Sequence, residues 1–397
     1  MKNDRPLNIV LYVNSYLPTI GGREVVVHYL AKWLKRLGHN PRVVGPAGLL
    51  KHRKYKFEYP VHRWPTLRGL LVEPVQELNI LLDTKIWKTD IIHAHSTYPS
   101  GYYVSQVNAL DSYPLIVTPH GEDIHVIPEI NFGLRMDPIK DRKIKQSLSR
   151  ADACTAISTD VTNSLLDAGV RQDKIVEIPN GIDLERFDGK YTIDIRKKYN
   201  LPEDSKIILS VASYHRKRGY EHLVDAFARV CTQIDNCYLL IAGRGTDVLK
   251  NRISDHGIDE KVKLLGQIVP PFMEKGEDFL AATYTQSSLY VSSSMASGAE
   301  GLSLALLDAM GAQLPIVATD ISGNNDVVSD GTNGYLVKPG DDAGMANMII
   351  KLLKDADSME KYGIASRKIA TTYSWENITK QYVEIYRKQM NKAGQTA

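Results

Sequence analysis

Short apolar runs alternate along the chain with longer stretches in which apolar positions recur every three or four residues. Residues 7–13 are apolar but for Asn8 and read as a buried strand. Residues 24–37 then place Val26, Val27, Leu30, Ala31, Leu34 and Leu37 on one helical face. Gly38 ends that helix, and a strand resumes over 41–44. Further strands are predicted over 91–94, 115–118, 153–157 and 175–178. The pattern then restarts, with strands over 206–212, 238–242, 262–265, 289–292, 316–319 and 335–337. Helices are predicted over 220–230, 302–310 and 345–353, and a last one over 375–390. Repeated strand–helix alternation implies parallel sheets covered by helices on both faces. The reading is α/β: two doubly wound, Rossmann-like units facing across a cleft. Their seam lies near the polar stretch 183–200. The expected division is an N-terminal domain over 1–185, a C-terminal domain over 186–374, and a final helix over 375–397 that returns to the first domain.

A chain of 397 residues is long enough for two such domains, and its 43% hydrophobic and 24% charged content is that of a globular protein. Its net charge of +3 is too small to argue for nucleic acid. Three cysteines, with no paired spacing, give neither a disulfide framework nor a zinc site. A reducing, cytoplasmic setting is expected, with no spanning segment. The charge is unevenly spread: residues 1–56 hold 11 Lys and Arg against 2 Asp and Glu. The stretch 32–56, densest at Lys51-His52-Arg53-Lys54-Tyr55-Lys56, reads either as a solvated loop or as a surface for an anionic membrane or phosphate-bearing acceptor.

Ligands of open α/β sheets bind at the carboxyl ends of the strands, so candidate chemistry is sought there. Gly21-Gly22 opens the first helix, where a tight turn or a close approach to an anion would each explain it. The segment that follows is not GxGxxG, which disfavours a nicotinamide cofactor. His120, in Thr118-Pro119-His120-Gly121, follows a strand and is either structural or turned towards a ligand. His93 and His95 share a strand face and read as core or cleft lining rather than metal ligands. Asn180-Gly181 reads as a turn that tolerates left-handed backbone. Arg216-Lys217-Arg218 precedes a helix, a solvated turn or a phosphate grip. Glu300 enters the helix bearing Asp308, which is predicted to start at Leu302; Leu302 to Leu304 would then expose free N–H groups.

Together these segments resemble the retaining nucleotide-sugar glycosyltransferases of the two-domain GT-B fold, family four, of the bacterial mannosyltransferase and sucrose synthase type. The resemblance runs nearly end to end. It takes in Gly21-Gly22, Thr118-Pro119-His120-Gly121, Pro179-Asn180-Gly181-Ile182-Asp183, Ala242-Gly243-Arg244-Gly245, the Glu300 segment and Gly331-Thr332-Asn333-Gly334. It implies hexose transfer from a nucleoside-diphosphate sugar to a hydroxyl of a glycan or lipid-linked acceptor. No metal and no cofactor beyond that co-substrate are implied. Glu300 would contact the donor sugar, and the N–H groups of Gly301, Leu302, Ser303 and Leu304 would hold sugar hydroxyls and diphosphate. Asp308 would grip the ribose, His120 would lie near the transferred sugar, and Gly22 would approach the phosphates. Arg218 would steady the leaving diphosphate.

Three positions depart from the family pattern. Asp308 stands where Glu is usual, Leu302-Ser303 where Phe-Gly is common, and Ser213 where the first phosphate-binding cation is expected. Arg216 or Lys217 would replace that cation. Ser213 keeps open a non-catalytic, glycan- or partner-binding homologue, and a nucleotide-sugar epimerase on a similar scaffold is the other rival. The basic stretch 32–56 adds an expectation of peripheral attachment at the inner membrane face.

Overall fold

The structure, a computed structural model, describes residues 5–46, 56–64, 72–108, 113–270, 272–273, 276–295 and 301–396. The chain divides into two compact units, Met1–Gly181 with Trp375–Ala397, and Ile182–Ser374.

The first unit holds β1 (Asn8–Tyr12), β2 (Asn40–Pro46), β3 (Val61–Trp64), β4 (Ile91–His95), β5 (Leu115–Thr118), β6 (Ala153–Ala156) and β7 (Ile175–Glu177). They form one sheet in the order β3-β2-β1-β4-β5-β6-β7, with every paired neighbour parallel. Strands buried on both faces need near-continuous apolar runs, which is why Ile9, Val10 and Leu11 are all buried. The helix Gly22–Arg36 buries Val26, Val27, Leu30, Ala31 and Leu34. Gly38, at φ +84°, lets the chain reverse into β2. β3 carries no continuous apolar run because it is an edge strand, half-buried throughout, and the sequence pattern passes over it.

The second unit holds β8 (Lys206–Val211), β9 (Cys237–Ala242), β10 (Val262–Gly266), β11 (Leu289–Ser292), β12 (Ile316–Thr319) and β13 (Gly334–Val337). Their order, β10-β9-β8-β11-β12-β13, is again wholly parallel. In each sheet the order reverses once, between β1 and β4 and between β8 and β11. Such switch points leave a crevice at the strands' carboxyl ends.

The division falls earlier than a boundary at 185/186, because Ile182 already joins the second unit. Its N–H donates to the Tyr373 carbonyl at 2.8 Å, beside a parallel bridge to Ser374. The helix Trp375–Thr396 belongs to the first unit. Trp375 is buried and its ring stacks on Tyr29 at 5.8 Å. Gly181 is not left-handed; a side chain there would come within 2.5 Å of the Trp375 ring. Packing, rather than turn geometry, requires that glycine.

Candidate active site

At the switch point of the first sheet, the chain beyond β1 reaches Gly21, whose extended backbone precedes the helix Gly22–Arg36. A Cβ on Gly21 would lie 2.5 Å from the Glu24 carboxylate, whereas one on Gly22 would meet nothing within 4 Å. The helix start is therefore open at Gly22, and its first N–H groups have no side-chain cap from Gly21.

The turn after β5 is fastened by Asp123. One carboxylate oxygen accepts the His120 N–H at 2.8 Å; the other accepts the Thr97 N–H at 2.6 Å, from the loop after β4. Burial raises the Asp123 carboxyl above its ordinary range. His120 Nε2 lies 3.2 Å from Nδ1 of His95, and the two rings stack. Behind them, His93 is bonded to the Tyr386 hydroxyl at 2.7 Å and to Thr118 Oγ1 at 2.6 Å. Burial pushes all three imidazoles down, His93 to about 3, so they are neutral near pH 7. His93 and His95 are core residues, fully buried. Among the described residues no group of three or more His, Cys, Asp or Glu is placed to hold a metal ion.

At the switch point of the second sheet, the turn Arg216–Arg218 follows β8 and Gly219 ends it at φ +61°. A Cβ on Gly219 would sit 2.2 Å from the Ser293 carbonyl oxygen, so only glycine permits the approach of this turn to the chain beyond β11. Two bonds staple the loops: Ser293 Oγ donates to the Arg218 carbonyl at 2.8 Å, and the Met295 N–H donates to the Lys217 carbonyl at 2.8 Å. Arg218 is half-buried beside Tyr220 and Tyr290, and burial lowers its pKa. Ser213 and Arg216 are exposed, and Lys217 is half-buried. The Tyr214 N–H donates to the Arg244 carbonyl at 2.8 Å, which ties the chain after β8 to the chain after β9.

Glu300, with Ser297 to Ala299 before it, lies outside the described residues. Beyond it the helix begins at Leu304 rather than Leu302, because Leu302 turns into the core. Ser303 stands at the N-cap without a side-chain cap, so the N–H groups of Leu304 to Leu306 form the uncapped first turn. Gly301 is half-buried. Asp308 lies just past that turn, and its Oδ2 accepts from Arg186 Nη1 at 2.9 Å.

A family described as Glycosyltransferase Family 4 matches residues 20–186, and one described as Glycosyl transferases group 1 matches residues 192–369. The two matches change over between 186 and 192, shortly after the second unit begins at Ile182. The chain belongs to the family-four glycosyltransferases of the GT-B fold. The N-acetyl-alpha-D-glucosaminyl L-malate synthase of Bacillus anthracis is 26% identical to it, over 93% of this chain and 94% of that protein. Sucrose-phosphate synthase from Thermosynechococcus elongatus has the same fold, with TM-score 0.80 and 21% identity over 97% of this chain and 100% of that one. So has Anabaena HepE in complex with UDP-glucose, with TM-score 0.78 and 19% identity over 95% and 98%.

In this glycosyltransferase the structure brings Arg216, Lys217 and Arg218 to the chain that leads to Glu300, and His120 to His95. Sequence reasoning missed Asp123, three residues after a histidine it had singled out. It also missed Arg186, which stands in the stretch read as a polar seam; its carboxylate partners lie 92 and 122 residues away.

Proposed function

We propose that this glycosyltransferase moves a hexose from a nucleoside-diphosphate sugar to an acceptor hydroxyl, with retention at the anomeric carbon and without a metal ion. The observation that carries the reading is the stapling of the cationic turn Arg216–Arg218 to the chain beyond β11, in a unit where the next helix starts uncapped at Leu304. A cationic turn and free N–H groups at one switch point suit a diphosphate. The complex of HepE with UDP-glucose and the N-acetyl-alpha-D-glucosaminyl L-malate synthase of Bacillus anthracis support it.

In the proposed reaction the bond from the anomeric carbon to the diphosphate oxygen breaks, and the acceptor oxygen bonds that carbon from the same face. The acceptor proton passes to the departing phosphate oxygen. Arg218, with Arg216 or Lys217 in place of the cation missing at Ser213, stabilises the charge that develops there. In the first unit, Gly22 leaves the start of its helix open to an anion. Glu300 holds the transferred sugar and Asp308 the ribose; in the first unit, neutral His120 offers a hydrogen bond to a sugar hydroxyl. Ser303 and the N–H groups after it contact sugar hydroxyls or diphosphate.

Thermal shift with UDP, GDP and ADP, in buffer with a chelator, tests the donor site. A ligand bound only by the native state at a hundredfold excess over its Kd adds about 2.7 kcal/mol of stability. One nucleotide should raise Tm clearly; no shift with any of them would overturn the reading. The anomeric configuration of the product, read by NMR, tests retention.

One observation favours a place for the acceptor at an anionic bilayer. On the helix Val72–Ile86, Leu78, Leu82 and Ile86 are 54%, 43% and 76% exposed. Their spacing of four residues puts them on one face. Lys85 and Lys88 adjoin that face in sequence, and Arg42 lies over the Trp87 ring at 5.4 Å. Lys35, Arg36 and Lys56 of the basic stretch are exposed, while residues 51–55 lie outside the described residues. No helix among the described residues is long and apolar enough to cross a membrane. An apolar stripe with Lys85 and Lys88 beside its C-terminal end fits peripheral attachment. Co-sedimentation should rise when phosphatidylglycerol is added to phosphatidylcholine vesicles and fall in Leu82→Glu; binding indifferent to the anionic lipid would overturn it.

A further inference from the structure

Arg186 stands in the short turn Leu184–Phe187, just after the chain enters the second unit. Its guanidinium bridges two helices. Nε donates to Asp278 Oδ2 at 2.7 Å and Nη1 donates to Asp308 Oδ2 at 2.9 Å. All three side chains are largely buried, with exposures of 14% for Arg186, 9% for Asp278 and 14% for Asp308. One cation thus serves two carboxylates, with buried Asp183 near Asp308 as a third.

The two carboxylates are used differently. Asp278 spends both oxygens on the protein, since Oδ1 also caps the helix Phe279–Thr285 through the Ala281 N–H at 2.9 Å. Asp308 spends only Oδ2, and no described residue bonds its Oδ1. An unbonded carboxylate oxygen on a side chain 14% exposed, in a cluster with excess negative charge, is open to a hydrogen-bond donor, and a neutral hydroxyl supplies one without further charge.

We propose that Arg186 is a positioning residue for the nucleoside end of the donor: it fixes Asp308 through Oδ2 and leaves Oδ1 aimed for the ribose hydroxyls. This rests on the assignment of Asp308 to the ribose. It also accounts for an aspartate where the family has glutamate, because a clamp across two helices sets the reach of the shorter side chain. The stretch read from sequence as a polar seam then becomes part of the binding machinery.

The test titrates UDP, GDP and ADP, and the 2′,3′-dideoxy form of the one that binds, into wild type, Arg186→Gln, Arg186→Lys and Asp308→Asn by calorimetry. Hydrogen bonds to charged groups are worth about 1.5–3 kcal/mol, so Arg186→Gln should weaken the ribonucleotide at least about tenfold. It should weaken the dideoxy form less than about twofold. Arg186→Lys keeps the charge but grips one carboxylate at a time. It should recover most of the loss, leaving about threefold, still confined to the ribonucleotide. In turnover, donor KM should rise while kcat holds. Equal losses on both ligands, or none, would overturn the role of Arg186, and Arg186→Lys decides the matter where the glutamine variant does not fold. Asp308→Asn separates the premise: if it spares the ribonucleotide, the ribose assignment itself falls, whatever the arginine variants do.

Discussion

At the end of β4 in the first unit, His95 meets His120 at 3.2 Å, two imidazoles kept neutral by burial, with Asp123 tying the turn to its neighbour. At the end of β8 in the second, Arg216, Lys217 and Arg218 crowd one turn, and that turn is stapled to the chain beyond β11 by backbone carbonyls. The two sheets wind alike, and each places its loops at one reversal of strand order. What differs is the loop chemistry. Neutral imidazoles beside an open helix start suit hydroxyls and a sugar, whereas a cationic turn suits a diphosphate. Topology says where a site lies; the side chains on the loops say what it takes.

The comparison can be broken most forcefully at Glu300. If the second unit carries the donor, Glu300→Ala should cut turnover by about 10³-fold, the upper range for loss of one preorganised polar contact, with Tm unchanged. Turnover near wild type would remove the donor sugar from that loop.

Acid should next separate the halves. Burial holds His28 and His93, both in the first unit, at about 3 in the folded state against an ordinary 6.5. The unfolded chain therefore takes up their protons first. Their contribution is intact above pH 6.5 and lost as pH falls towards 3, at about 1.4 kcal/mol per pH unit for each. Amide exchange between pH 7 and 4 should rise first in the first unit; a uniform rise would contradict the contrast.

Gly219→Ala sharpens the picture in the second unit. A Cβ at that left-handed position strikes the Ser293 carbonyl, so stability should fall by about 1–3 kcal/mol and nucleotide affinity with it. Unchanged affinity would mean that the staple does not shape the cationic turn. The smallest effect is expected from Tyr386→Phe. It leaves buried His93 Nδ1 without its partner, at about 1–2 kcal/mol, and should spare nucleotide affinity altogether. A loss of nucleotide binding in that variant would show the units to be more entangled than their separate chemistry implies.

Most of the sheet was legible in the sequence, and β5, β11 and β12 match the expected spans. Edge strand β3 was not, since a half-buried strand needs no apolar run. The loops of the candidate site were legible as glycines, a histidine and a basic cluster just past strand ends. The pairings between them were not. Gly181 looked like a turn residue and is instead the flat seat of Trp375.

Strands, helices and the alternation that makes two parallel sheets can be read from local pattern, because burial on both faces imposes apolar runs and helical periods. The tertiary structure alone decided that Arg186 holds Asp278 and Asp308, that Tyr386 reaches His93 from 293 residues away, and that Gly219 lies against Ser293. Each of these contacts depends on which loops the strand order and crossovers bring together. A local pattern records only the surroundings of one segment and carries no information about that meeting.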